Sequence, residues 1–163
     1  MTTSTAASLV NLLGFITGIV LYVMLLWMVV TSRPESNRLA LLTGLLGFAW
    51  NIGAFGGYGL FNLGFGQPSP LVLAAAFSSL CFLPAVVVHS ALDTAEKLTR
   101  LHFLIITFAY ALSGAATVLN FYSAAMTGIA PSQSALRGVT VGFGILLFGG
   151  IKIGFWRLAP ATR

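Results

Sequence analysis

The chain has 163 residues, of which 58% are hydrophobic and 7% are charged, with eight basic and three acidic residues. A soluble domain carries about 25% charged residues, so this composition excludes an ordinary water-soluble domain and indicates that lipid is the main solvent. The single cysteine, Cys81, excludes an internal disulfide and a thiolate metal cluster within one chain.

The net charge of +5 is compatible with nucleic-acid binding, but the basic residues are scattered through short connectors. In a membrane protein, basic residues in connectors mainly indicate which side of the membrane each connector lies on. We therefore predict a lipid bilayer and other integral membrane subunits as partners, and no nucleic acid.

Five apolar stretches are each long enough for a transmembrane helix, which needs about 20 residues. They are residues 9–30, 39–63, 70–92, 101–125 and 139–158. The sequence thus predicts a single all-α domain over residues 1–163, a polytopic integral membrane bundle of five transmembrane helices.

The connectors carry residues typical of helix starts. The predicted caps are Ser36 or Asn37 for the second helix, Ser69 before Pro70 for the third, a capping box from Asp93 to Glu96 for the fourth, and residues 130–134 for the fifth.

The basic residues also predict an orientation. Seven of the eight lie in the first or third connector or at the end of the fifth helix, and Arg137 alone lies in a second or fourth connector. The positive-inside rule then predicts an outside N-terminus and a cytoplasmic C-terminus. The first span lacks the basic leader of a signal peptide, and no lipidation motif is visible.

Small residues at four-residue spacing predict close helix contacts, because lipid removes the hydrophobic drive between helices. The glycine pairs are Gly14 with Gly18, Gly53 with Gly57, Gly138 with Gly142, and Gly150 with Gly154. Glycines in residues 53–64 also predict an irregular outer end of the second helix.

Two histidines are candidate cofactor ligands. His89 lies near the predicted cytoplasmic end of the third helix, and His102 lies just inside the fourth helix on the same side. Imidazoles at these positions could ligate a haem or a chlorophyll-type pigment, or could bond to nearby carboxylates and water. Lys152 is an unfavourable retinal ligand, since all three acids lie in predicted cytoplasmic connectors.

Amides and tyrosines near the outer ends form a candidate ligand pocket or a set of interfacial anchors. They are Asn11, Asn62, Asn120, Tyr58 and Tyr122, with Ser123 and Gln67 nearby. Asn51 lies in the middle of the second helix and is expected to hydrogen-bond to another helix.

In the third helix, Pro84 predicts a kink, with Ser78 and Ser79 available to bond the carbonyl groups that it frees. Cys81, in the preceding turn, is expected to pack as a small apolar group.

The predicted spans contain no Asp or Glu, and the chain carries neither a zinc-protease motif nor a nucleophile-elbow motif. We therefore predict a protein that is not an enzyme, with no catalytic residues and no metal site.

Trp50-Asn51 in the second helix, followed by Leu83-Pro84 and His89 in the third, resembles the membrane input region of bacterial seven-helix sensor histidine kinases. The resemblance covers about residues 39 to 125 and implies a helical sensory or scaffold bundle. The chain departs from that family in having five predicted helices and no kinase.

Two functions follow as hypotheses. The first is a non-catalytic accessory or scaffold subunit that docks in the bilayer against a larger electron-transfer or photosynthetic complex. The second is a sensory input module that signals through a separate partner. Haem or chlorophyll binding through His89 or His102 is compatible with either.

Overall fold

The computed structural model describes residues 2–31, 38–67, 69–93 and 99–158, with backbone alone for residues 2–6, 62 and 149–158. Within these ranges the chain forms only helices and turns. The predicted all-α class and the helical bundle are therefore confirmed for the described part of the chain.

Five long helices run in sequence through the described residues, and we number them α1 to α5. They are α1 (Thr2–Thr31), α2 (Arg38–Ala54), α3 (Pro70–Asp93), α4 (Arg100–Thr127) and α5 (Gln133–Leu158). A π-helical segment, Phe55–Gly59, and a short helix, Leu60–Asn62, extend α2. The predicted irregularity at this end of the second helix is thus confirmed.

Four segments among the described residues are long and apolar enough to cross a membrane. They are Ala7–Thr31, Arg38–Gly59, Pro70–Asp93 and Arg100–Thr127, and the described side chains of α5 add a shorter apolar helix, Gln133–Phe148. By length and composition, these helices indicate a multi-pass membrane protein.

The start of α3 agrees with the sequence analysis. Pro70 is its first residue, and the Leu73 amide donates to the Ser69 carbonyl at 3.1 Å. Proline suits a first helical position because the amide it lacks would have no partner inside the helix.

The start of α4 differs from the prediction. Asp93 ends α3, and α4 is capped instead by Thr99, whose hydroxyl accepts from the His102 amide. The predicted cap of α4 at Asp93 was therefore wrong. Residues 94–98 and the predicted caps Ser36 and Asn37 lie outside the described residues.

The fifth helix begins six residues earlier than predicted. The Ser132 carbonyl accepts from the Leu136 amide at 3.1 Å, and the Ser132 hydroxyl accepts from the Ala135 amide at 3.5 Å. These local bonds start α5 at Gln133, so Arg137 lies in its second turn rather than in the connector.

Each helix packs chiefly on the next one in sequence, and α3 contacts α2, α4 and α5. The buried core contains Ala74, Ala85, Ala109 and Ala116, whereas large apolar side chains such as Trp27 and Phe103 are exposed. Close packing of small residues with large apolar groups outside is typical of helices that associate in lipid.

Only some of the predicted glycine contacts are present. A Cβ on Gly18 would meet the Asn51 side chain, one on Gly53 would meet Ala76, and one on Gly142 would meet Leu112. Gly14 and Gly138 have nothing within 4 Å of that position. The side chains of the Gly150–Gly154 region are outside the described set.

Candidate functional site

A line of buried polar groups joins α3, α4 and the start of α5. Ser113 in α4 is fully buried. Its hydroxyl lies 2.8 Å from the Cys81 carbonyl of α3 and 3.0 Å from the Ala109 carbonyl of its own helix. A hydroxyl has one proton, so this donor is shared between a neighbouring helix and its own.

Asn120 lies about two turns after Ser113 in α4 and is also fully buried. Its Oδ1 accepts from the Ser132 amide at 3.0 Å, and its Nδ2 lies 3.9 Å from Cys81 Sγ. We call Cys81, Ser113, Asn120 and Ser132 the polar seam. The amide thus links the start of α5 to α3 instead of lining an outward-facing pocket.

The polar seam lies just before the proline of α3. Pro84 cannot donate to the Leu80 carbonyl, and the carbonyl of the next residue, Cys81, accepts from Ser113. Hydroxyls on adjacent helices commonly satisfy backbone groups near a proline in a membrane helix. The helix runs through Pro84 without interruption, and the kink remains a prediction.

The two serines expected to bond the carbonyl freed by Pro84 act one turn earlier. Ser78 donates to the Ala74 carbonyl at 2.7 Å, and Ser79 donates to the Ala75 carbonyl at 3.1 Å. Each hydroxyl therefore bonds to the carbonyl four residues earlier in its own helix. The expectation that these serines would bond the carbonyl freed by Pro84 was wrong.

Asn51 is buried in α2, where its Nδ2 donates to the Gly47 carbonyl at 2.7 Å. This bond lies within one helix, in contrast to the expected bond between helices. The contact with α1 is instead steric, because the Asn51 side chain occupies the space beside Gly18. A glycine on α1 therefore makes room for a polar side chain on α2.

His89 and His102 have separate partners. His89 Nδ1 lies 3.2 Å from the Tyr110 hydroxyl on α4, with the two rings nearly perpendicular. His102 Nδ1 accepts from the Thr99 amide at 3.4 Å. His102 therefore completes a capping box at the start of α4, and His89 joins α3 to α4.

The other candidate pocket residues are dispersed. Tyr58 packs edge-on against Phe77 of α3, with ring centroids 6.4 Å apart. Asn11 is exposed on α1 and Tyr122 is exposed on α4. The Asn62 side chain lies outside the described set.

A depression of about 520 Å³ does lie at this end of the bundle, and Gln67 is the member of the predicted set that lines it. Gln67 and Ser69 border it on one side, and the turn at Gly128 and Ile129 borders it on the other. Sequence reasoning missed this turn, although Gly128, with φ of +66°, follows the last residue of α4 as a left-handed helix terminus.

The described residues contain no group of three or more His, Cys, Asp or Glu side chains that could hold a metal ion. The fold and polar seam together define a multi-pass helical bundle whose buried hydroxyl and amide groups bond helices to one another. The chain matches no protein-family model, and no curated protein or solved structure is similar to it.

Proposed function

We propose that this protein is a non-catalytic accessory or scaffold subunit of the bacterial inner membrane, and that it docks in the bilayer against a larger membrane complex such as an electron-transfer or photosynthetic complex. It has five spans, an outside N-terminus and a cytoplasmic C-terminus. The backbone of α5 supports the fifth span, since its 26 residues extend about 39 Å at 1.5 Å per residue.

The exposure of α1 is the observation that carries the docking proposal. This helix packs chiefly on α2 and the π-helical segment. Val10 is 68% exposed, Trp27 72% and Val30 70%. Such a surface suits contact with lipid or with another membrane helix, because van der Waals packing drives helix association in bilayers.

Photo-crosslinking in native membranes tests the docking proposal. A photoreactive amino acid at Met24, which is exposed on α1, is expected to give one discrete adduct with another integral membrane subunit. The same probe at Tyr22, which faces Gly47 of α2, is the matched control and is expected to react within the chain. Lipid adducts alone at Met24 would contradict docking through α1.

The orientation gives a separate prediction. In a Cys81→Ala background, a cysteine at Gln67 is expected to react with an impermeant maleimide from outside intact cells. A cysteine at Arg100 is expected to react only after permeabilisation. Reaction of both positions from one side would contradict the proposed crossing of α3.

A sensory input module is the second candidate, and the depression between Gln67 and Gly128 favours it. This depression adjoins the start of α3, and α3 is bonded to α4 through Ser113 and His89. A ligand seated there would act on two coupled helices. Ligand-dependent hydrogen exchange in residues 128–136 would support a sensor, and unchanged exchange with every candidate ligand would oppose it.

Pigment binding is tested through His89. We predict that His89→Ala leaves membrane insertion intact, because one interfacial side chain contributes little to the apolar length of α3. If a pigment is bound through this imidazole, the variant loses a Soret or chlorophyll absorption band that the purified wild-type protein shows. Tyr110→Phe is the matched control, since it removes only the hydroxyl partner of His89. Absence of any such band from the wild type would exclude pigment binding.

A further inference from the structure

A narrow apolar crevice runs between α4 and α5 from the end at which α5 begins. Its volume is about 50 Å³, enough for a short length of hydrocarbon chain but not for a large ligand. Its lining includes Leu112, Ala116, Leu119, Ala135, Gly138 and Val139. Apolar walls of this kind take up an apolar group in preference to water.

Two glycines give the crevice its shape. A Cβ at Gly138 would meet nothing within 4 Å, so the missing side chain leaves open space against the α5 backbone. One turn further along, a Cβ at Gly142 would meet the Leu112 side chain. The side chain of Leu112 therefore fills the space beside Gly142, whereas the space beside Gly138, one turn nearer the start of α5, is open.

Arg137 is exposed, and it is the residue before Gly138, which lines the crevice. It lies three residues after Ser134, a lining residue, and side chains three apart are neighbours on a helix surface. Arg137 is in the second turn of α5, about 6 Å from its first residue. An arginine at this depth extends its guanidinium towards the headgroup region while its methylene groups stay in the apolar layer.

The described part of the chain offers this guanidinium no carboxylate at the same end of the bundle. Asp93 is the acidic residue within the described ranges, and it ends α3 at the opposite end, where α4 begins. An arginine near the end of a membrane helix carries its guanidinium to the headgroup region, where anionic groups are available as partners. A phosphate from a lipid headgroup supplies the missing charge.

We propose that the α4–α5 crevice and Arg137 form a binding site for an anionic phospholipid, with a short segment of one acyl chain in the crevice and the phosphate on the guanidinium. The apolar lining fixes the chain, and the single cation selects the headgroup. A basic side chain near the membrane surface favours an anionic lipid by about fivefold.

A photoreactive lipid locates the site directly. The full-length protein is reconstituted with phosphatidylglycerol or phosphatidylcholine that carries a diazirine on one acyl chain, and the labelled peptides are identified by mass spectrometry. We expect phosphatidylglycerol to label residues 112–119 and 134–139 about fivefold more strongly than phosphatidylcholine. Equal labelling by the two lipids would overturn the proposal.

Two pairs of variants separate the headgroup contact from the chain contact. Arg137→Gln is expected to abolish the preference for phosphatidylglycerol at this site, and Arg100→Gln, at the other end of the bundle, is expected to preserve it. Gly138→Leu fills the crevice and is expected to remove labelling by both lipids.

Gly144→Leu is the control for the crevice variant, because a Cβ there also meets nothing within 4 Å and Gly144 does not line the crevice. It is expected to label as the wild type does. Unchanged headgroup preference in Arg137→Gln, or unchanged labelling in folded Gly138→Leu, would each refute the site.

Discussion

Gly53→Ala is expected to destabilise the bundle by about 1–3 kcal/mol, the usual cost of overpacking a tight contact. A Cβ at Gly53 would lie 2.5 Å from the Cβ and 3.3 Å from the Cα of Ala76 in α3. Neither atom can move by a change of rotamer, so α2 and α3 must separate. Their separation would also weaken the contact between Trp50 and Phe77, whose ring centroids are 4.9 Å apart.

The single cysteine provides the measurement. Cys81 is 2% exposed, so the temperature at which a maleimide dye reacts with it in detergent reports the opening of the bundle. We expect this temperature to fall in Gly53→Ala and to recover in the double variant Gly53→Ala/Ala76→Gly, which removes the opposing methyl group.

Gly114→Ala is the matched control for Gly53→Ala. A Cβ at Gly114 would meet nothing within 4 Å, and alanine is favoured over glycine inside a helix by about 1 kcal/mol. The control is therefore expected to be as stable as the wild type or more so. Equal stability of Gly53→Ala and Gly114→Ala would show that α2 and α3 do not approach this closely.

Asn120→Ala is expected to release the start of α5 from α4, with a loss of about 1–3 kcal/mol. The substitution leaves the Ser132 amide without its acceptor and removes the Nδ2 group that lies against Cys81 Sγ. The cost is that of leaving a partly buried donor unpaired, which exceeds the net value of one hydrogen bond.

Hydrogen exchange distinguishes this effect from a general loss of stability. We expect faster exchange in the peptide that contains Ser132, together with faster modification of Cys81, while residues of α1 exchange as in the wild type. Asn11→Ala is the control, because Asn11 is exposed on α1 and should change neither quantity. Unaltered exchange at Ser132 in Asn120→Ala would show that the polar seam does not link α4 to α5.

The helix boundaries show where sequence patterns were sufficient. Ser69 followed by Pro70 predicted the start of α3 correctly, since the fixed backbone geometry of proline suits the first position of a helix. The Asp93–Glu96 pattern failed because Thr99 and His102 form a capping box further along the chain. Arg137 was placed in a connector because the predicted apolar span begins at Val139, whereas the local bonds of Ser132 include Arg137 in α5.

The candidate site was harder to predict than the helices. Asn120 was grouped with Asn11 because both lie near helix ends, yet one is fully buried and the other is exposed. Similarly, the partnership of His89 with Tyr110 depends on which faces of α3 and α4 meet. The depression at Gln67 and Gly128 depends on how two connectors lie against each other.

The sequence by itself determined the solvent of this protein and the presence of its helices, because hydropathy and length are local quantities that add along a stretch of chain. Only the tertiary structure decided which face of each helix is buried, and hence that Gly53 meets Ala76 and Asn120 meets Ser132. The physical reason is that a bilayer is as apolar as the protein interior. Apolar side chains therefore occupy every face of a helix, and their spacing does not report how the helix is rotated about its axis.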